Sequence, residues 1–164
     1  MRLLALILSL PALTWAADPT FSEGFFSLVE NYSGETVMPS RGANGQDGTI
    51  TFDDSRIVDG HDWYFEPQLN NQGYAIRDGS IGPYIHFPEL KAGAVAKLSS
   101  QASTFFSVQG GQHNALFTFT PAGSMDGENQ LFWAVDQLRD GNRTRILTLQ
   151  ERPEKFNIVV RSRE

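Results

Sequence analysis

Three histidines, His61, His86 and His113, are the side chains in this sequence best suited to proton transfer near neutral pH. None stands two or four residues from another histidine, and none falls with Asp or Glu at metal-ligand spacing. His61-Asp62 reads as a loop pair ahead of a strand. A Gly-x-Ser-x-Gly elbow is missing, and with no cysteine there is no thiol nucleophile. Asp53-Asp54 and Asp126-Gly127-Glu128 offer the oxygen ligands that Ca²⁺ takes, but neither has the spacing of an EF-hand loop, so both read as solvated turns. Glu66 and Asp136 close apolar strands, where a carboxylate marks the strand end. The expectation is a chain with no catalytic residue, no metal site, no cofactor and no enzymatic activity.

Binding chemistry is better represented. Trp133 sits in Leu131-Phe132-Trp133-Ala134-Val135, a run that is apolar on both faces of a strand. Either the strand is buried on both sides, or one aromatic is left exposed to stack on a sugar ring. Trp133 is therefore the candidate ligand-binding residue. Asn31-Tyr32-Ser33 and Asn142-Arg143-Thr144 both match the N-glycosylation sequon, which makes Asn31 and Asn142 candidate glycan carriers in a eukaryotic secretory host.

The elements that must position these residues are strands. No window shows a sustained helical apolar face, and short alternating runs bounded by Gly, Pro, Asn and Asp dominate. Twelve strands are predicted in three groups of four. The first group is Phe25–Glu30, Thr36–Pro39, Thr49–Asp53 and Trp63–Glu66. The second is Tyr74–Arg77, Tyr84–Phe87, Val95–Ser99 and Phe105–Gln109. The third is Leu116–Thr120, Leu131–Asp136, Arg145–Gln150 and Phe156–Arg161. Trp63-Tyr64-Phe65 is followed eleven residues on by Tyr74-Ala75-Ile76, and Phe106-Ser107-Val108 at the same interval by Phe117-Thr118-Phe119. Phe156-Asn157-Ile158 has its counterpart at the other end, in Phe26-Ser27-Leu28, so pairing the last strand with the first would complete a third hairpin. This is the layout of an all-β fold of the β-trefoil type, three four-strand repeats with Trp63, Phe106 and Phe156 facing a common core. The alternative is an irregular β-sandwich.

Residues 1–16 stand apart. Arg2 precedes an apolar run from Leu3 to Leu13, and Thr14-Trp15-Ala16 has the small-x-small form of a cleavage site, so a secretory signal peptide ending at Ala16 is expected. The run is too short to span a bilayer. Residues 17–164 are then one all-β domain, exported to the extracellular space or cell wall, with no membrane partner. The formal net charge of −6 disfavours nucleic acid and anionic lipid. Without cysteine, the fold must be held by its aliphatic and aromatic core, for which 12 Phe, 3 Trp and 4 Tyr are available.

Phe25-Phe26-Ser27-Leu28-Val29 with Ser33-Gly34-Glu35-Thr36-Val37 resembles the start of mature secreted cell-wall proteins of filamentous fungi, the mannoproteins linked to phialide development and related antigenic surface proteins. Tyr74 to Ile81 is similar to a second segment there. Phe106-Ser107-Val108, Leu116 to Phe119 and Phe132-Trp133-Ala134-Val135 resemble a third. The resemblance implies a structural or surface role, with cell-wall polysaccharide or a surface protein as partner and no catalytic residues to carry over. Two other functions stay open. One is a lectin-like carbohydrate-binding module, although the Gln-x-Trp of ricin-type repeats is missing. The other is a trefoil protease inhibitor presenting Gly42–Gly48 or Pro121–Asn129 to an enzyme.

Overall fold

Alternation sets the strands. In Trp63-Tyr64-Phe65-Glu66 the first and third side chains are buried and the second and fourth half-buried, the period of two expected when one face of a sheet meets a core. The computed structural model describes residues 23–40, 48–54, 61–69, 73–110, 116–123, 125–126, 129–137 and 144–161. The expected signal peptide lies outside them.

All described regular structure is β. The strands are β1 (Gly24–Glu30), β2 (Glu35–Pro39), β3 (Ile50–Asp54), β4 (Trp63–Pro67), β5 (Tyr74–Asp78), β6 (Tyr84–His86) and β7 (Lys97–Ser99). They continue with β8 (Phe106–Gly110), β9 (Leu116–Pro121), β10 (Met125–Asp126), β11 (Asn129–Gln130), β12 (Phe132–Gln137), β13 (Arg145–Gln150) and β14 (Phe156–Val160). Each of the twelve predicted strands has a counterpart. The short β10–β11 pair is an addition that its Gly- and Asp-bearing sequence disguised as a plain loop. Val95, predicted inside a strand, instead makes an isolated bridge to Thr148.

Six strands close on themselves. β1 pairs β4, β4 pairs β5, β5 pairs β8, β8 pairs β9, β9 pairs β14, and β14 returns to β1, every pair antiparallel. The closing pair sets Leu28 opposite Ile158 and Glu30 opposite Phe156, so the first and last described strands do meet. A closed ring removes the free edges that an open sandwich would have to protect, and the sandwich alternative gives way to a barrel. Closure brings backbones very near. Gly73, at φ +91°, immediately precedes β5, and a Cβ there would stand 2.3 Å from the carbonyl oxygen of Phe106 on β8. A glycine is required both by the left-handed backbone and by that approach.

The other long strands form three hairpins outside the ring, β2–β3, β6–β7 and β12–β13. They are joined to one another. Ile146 of β13 pairs Thr51 of β3, Thr49 bridges Lys97 of β7, and Val95 bridges Thr148 of β13. Backbone bonds from Leu98 N to Gly48 O (2.8 Å) and from Ala96 N to Leu147 O (2.9 Å) tie the same three hairpins.

The core lies inside the barrel and beneath these hairpins. Trp63, Phe65, Phe106, Phe119, Trp133 and Phe156 are all fully buried. Phe119 stacks on Trp133 with ring centres 4.3 Å apart, while Phe106 and Phe156 meet the same indole edge-on at 5.0 and 6.0 Å. Such offset and edge-to-face pairs add stability beyond the area they bury. Trp63 donates its indole N–H to Val37 O at 2.8 Å, which satisfies the donor that burial would otherwise strand.

Candidate functional site

Trp133 is the first residue to correct. It faces the core with no exposed surface, so its indole cannot stack on a sugar, and the residue is a packing centre. The both-faces-apolar run around it belongs to a hairpin strand that packs its indole on Phe106, Phe119 and Phe156 of the barrel strands. Of the two candidate glycan carriers, Asn31 is exposed in the turn between β1 and β2, with its backbone N–H donating to Lys155 O at 2.9 Å. Asn142 lies outside the described residues, as do His113 and most of the Gly42–Gly48 loop. Within the Pro121–Asn129 loop, residues 124, 127 and 128 lie outside them too.

The remaining histidines have structural partners. His61 Nε2 is 2.8 Å from Asp78 Oδ1, and its ring packs edge-on against Trp63 at 4.9 Å. Ser27 is near, but its hydroxyl donates to the backbone carbonyl of His61 at 3.0 Å and not to the ring. Serine, histidine and aspartate thus meet without the nucleophile-to-base bond that acyl transfer requires. His86 Nδ1 lies 2.7 Å from Ser103 Oγ and 3.2 Å from Thr104 Oγ1, bonds that pin the segment before β8 to β6. Among the described residues no three His, Asp or Glu side chains come together as metal ligands.

The outer wall of the barrel carries a feature that the strand patterns hid. Phe25 pairs Tyr64, Tyr64 pairs Arg77, and Arg77 pairs Tyr84, so four directly opposed residues form one row across β1, β4, β5 and β6. All four are half-buried positions on the face opposite the core. The Arg77 guanidinium carbon lies 4.8 Å from the Tyr64 ring centre and 5.6 Å from that of Tyr84, and Phe25 packs on Tyr64 at 4.9 Å. Glu66 anchors the row from one side. Its carboxylate accepts from the Tyr84 hydroxyl at 3.2 Å and stands 3.8 Å from Arg77 Nε. At the other side the Tyr64 hydroxyl donates to Glu23. That bond raises the phenol above its ordinary value, with a smaller push from burial. Three strand spacings make the row about 14 Å long. The sequence signal for it is one out-facing residue in each of four predicted strands.

A second polar feature sits where β1 and the third hairpin meet. Glu30 is 2% exposed, and its carboxylate accepts from Tyr32 N (2.5 Å), Ser33 N (2.8 Å), Ser33 Oγ (2.7 Å) and Arg145 Nη2 (3.2 Å). Burial pushes this carboxyl up, but the Ser33, Tyr32 and Arg145 bonds together outweigh it and hold the group below its ordinary range. Arg145 also binds Glu35 and lies 5.5 Å from the Phe52 ring centre. Close by, a cleft of about 650 Å³ runs between β12 and the β13–β14 connection. Ala92, Ala134, Val135 and Pro153 give it apolar walls, and Asp136, Glu151 and Glu154 face it with Arg152. Glu154 is held above its ordinary value, first by burial and then by the negative charge of Glu30, against an opposing bond from the Val135 amide.

No family model and no curated protein matches the chain. Solved structures do share its fold. One is a Culex mosquito salivary protein of the Cysteine and Tryptophan-Rich family, 12% identical, with a TM-score of 0.60 over 90% of this chain and 99% of the other. Another is a Caenorhabditis elegans protein of unknown function, also 12% identical, with a TM-score of 0.63 over 88% of this chain and 99% of that one. At that identity the likeness is one of fold: this chain is similar in architecture to both proteins, a closed six-strand all-β barrel with outer strands.

Proposed function

We propose that the chain is an exported, non-enzymatic β-trefoil that works at a cell wall or cell surface by binding polysaccharide. The trefoil reading is supported by the count and placement of its parts. Each repeat contributes two barrel strands and one hairpin, and the three hairpins bond to one another around one end of the barrel. Export is supported by the signal-peptide pattern of residues 1–16, and the salivary source of one structural neighbour accords with it. A fungal, glycosylated wall protein is the setting that the sequence resemblance and the exposed Asn31 favour.

The observation that carries the binding role is the Phe25–Tyr64–Arg77–Tyr84 row. It is an outward row in which three aromatic rings flank one guanidinium, with the Glu66 carboxylate beside them, a combination of apolar ring and hydrogen-bonding group that suits a sugar's C–H face and its hydroxyls. The test is retention on insoluble chitin, β-glucan and mannan. Wild type should be held by one of the three. Tyr64→Ala and Tyr84→Ala should each lower retention about fivefold, the factor that 1 kcal/mol supplies, with thermal melts confirming the fold. Retention unchanged in both variants would reject the row.

A second reading, inhibition of a protease, is favoured by one observation. Ile81 is 94% exposed at the tip of a turn closed by bonds from Asp78 N to Pro83 O (2.8 Å) and from Gly82 N to Asp78 O (3.0 Å). Preorganised loops of this kind bind with little entropic cost. Nanomolar inhibition of a protease, lost in Ile81→Asp, with no polysaccharide retention by wild type, would replace the first reading.

A further inference from the structure

We propose that a hollow on the outer wall of the barrel, between β8, β9 and β11, binds a single uncharged pyranose ring. The site shares no residue with the Phe25–Tyr64–Arg77–Tyr84 row, and it stands or falls apart from the polysaccharide reading.

Strand register accounts for the hollow. The β4–β5 and β8–β9 hairpins pair in the same way, with Trp63 opposite Asp78 in one and Phe106 opposite Pro121 in the other. The next pair along, on the outward face, is Tyr64 with Arg77 in the first hairpin and Ser107 with Thr120 in the second. Where the first carries a ring and a guanidinium, the second carries two short hydroxyl side chains. They border a space of about 180 Å³. At roughly 30 Å³ for each water in the liquid, that is room for one six-membered ring with its hydroxyls and too little for two.

The lining suits that ligand. Ser107, Gln109, Thr120 and Gln130 supply two hydroxyls and two carboxamides, and no lining residue is charged. Each of these groups both donates and accepts, as a sugar hydroxyl does. Pro121 and Ala122 offer apolar contact to ring C–H groups, and their turn is tied down by Ala122 N bonding to Phe105 O at 2.8 Å. Thr120 is an independent pointer to a ligand. It is 3% exposed, and its hydroxyl has no hydrogen-bond partner among the described residues. A hydroxyl buried without a partner costs stability, and a sugar hydroxyl seated in the hollow would supply one. A charged ligand would lose its hydration with no counter-charge in return, and an apolar ring would leave Thr120 unpaired.

The experiment is an amide NMR titration of the full mature chain with D-glucose, D-mannose and N-acetyl-D-glucosamine, beside cyclohexanol and D-glucuronate. At least one neutral pyranose should bind and shift the amides of Ser107, Gln109 and Thr120, while cyclohexanol and glucuronate leave them in place. Thr120→Val, which keeps the shape, should weaken binding about fivefold, as for one lost hydrogen bond, without lowering the thermal midpoint. Ser107→Tyr, which brings in the side chain of the matching position in the first hairpin, should fill the hollow and abolish the shifts. No shift with any neutral pyranose, equal shifts with cyclohexanol or glucuronate, or wild-type affinity in both variants would each overturn the proposal. Shifts confined to Tyr64, Arg77 and Tyr84 would overturn it too while upholding the row. Shifts at Ser107 and Thr120 in a protein that no polysaccharide retains would support it without the row.

Discussion

Arg145 on the third hairpin reaches across to Glu30 at the end of the first barrel strand, with Nη2 3.2 Å from Oε2. The two residues are 115 positions apart in sequence. Their contact fastens the hairpin layer to the barrel at the point where the chain turns from β1 into β2. Because the Glu30 carboxylate also accepts from Ser33 and Tyr32, the pair is a hydrogen-bonded network and not an isolated bridge.

That network predicts a pH dependence with a definite sign. Glu30 titrates lower in the folded chain than in the unfolded one. Its contribution is therefore complete above the ordinary carboxylate range and is lost as pH falls through the folded value. Glu30→Gln should cost about 3 kcal/mol at neutral pH and flatten the acid limb of the stability curve. Glu154 carries the opposite sign. Its folded value is raised, so its contribution is complete below the ordinary range and is lost as pH rises through the folded value. Glu154→Gln should be neutral to stabilising at pH 7. Urea melts between pH 3 and 8 would measure both, and a stability curve for Glu30→Gln parallel to wild type would refute the assignment.

The core makes a second prediction. Trp63, Phe106 and Phe156 are fully buried, each as the first residue of a barrel strand. Truncation of each to Ala should cost about 3–5 kcal/mol. Trp133, which packs against three aromatic rings, should cost as much. A near-neutral denaturant midpoint at any of the four would show that the packing differs from the one described.

Glycan attachment is a third. Asn31 is exposed and its turn is held by Glu30, so a glycan there projects from a fixed base. Secretion from a eukaryotic host should give a protein whose gel mobility sharpens on glycosidase treatment. Asn31→Gln combined with Asn142→Gln should abolish that change, and an unmodified wild-type mass would end the expectation.

Processing is the fourth. Cleavage is expected after Ala16, so the exported protein should begin at Ala17 on N-terminal sequencing. Exported material that still carries Met1 to Leu10 would contradict it.

The sequence by itself determined the strands. Alternation with period two depends on local pattern alone, and it located twelve strands and the pairing of the two ends. It also made Trp63, Phe106 and Phe156 core residues, because a large aromatic at an in-facing register position has no cheaper place to go. What faces outward was decided by tertiary structure. Trp133 stands in a run apolar on both faces, and local pattern cannot tell a strand buried on two sides from one that exposes a ring. The packing of the Trp133 indole on Phe119 of β9 settles it. Phe25, Tyr64, Arg77 and Tyr84 come from four strands, and their alignment depends on three inter-strand registers that no single segment encodes. The 650 Å³ cleft likewise exists because backbone bonds from Gly93 N to Leu149 O and from Glu154 N to Trp133 O bring Ala92, β12 and the β13–β14 connection together, a long-range pairing that residue spacing does not record.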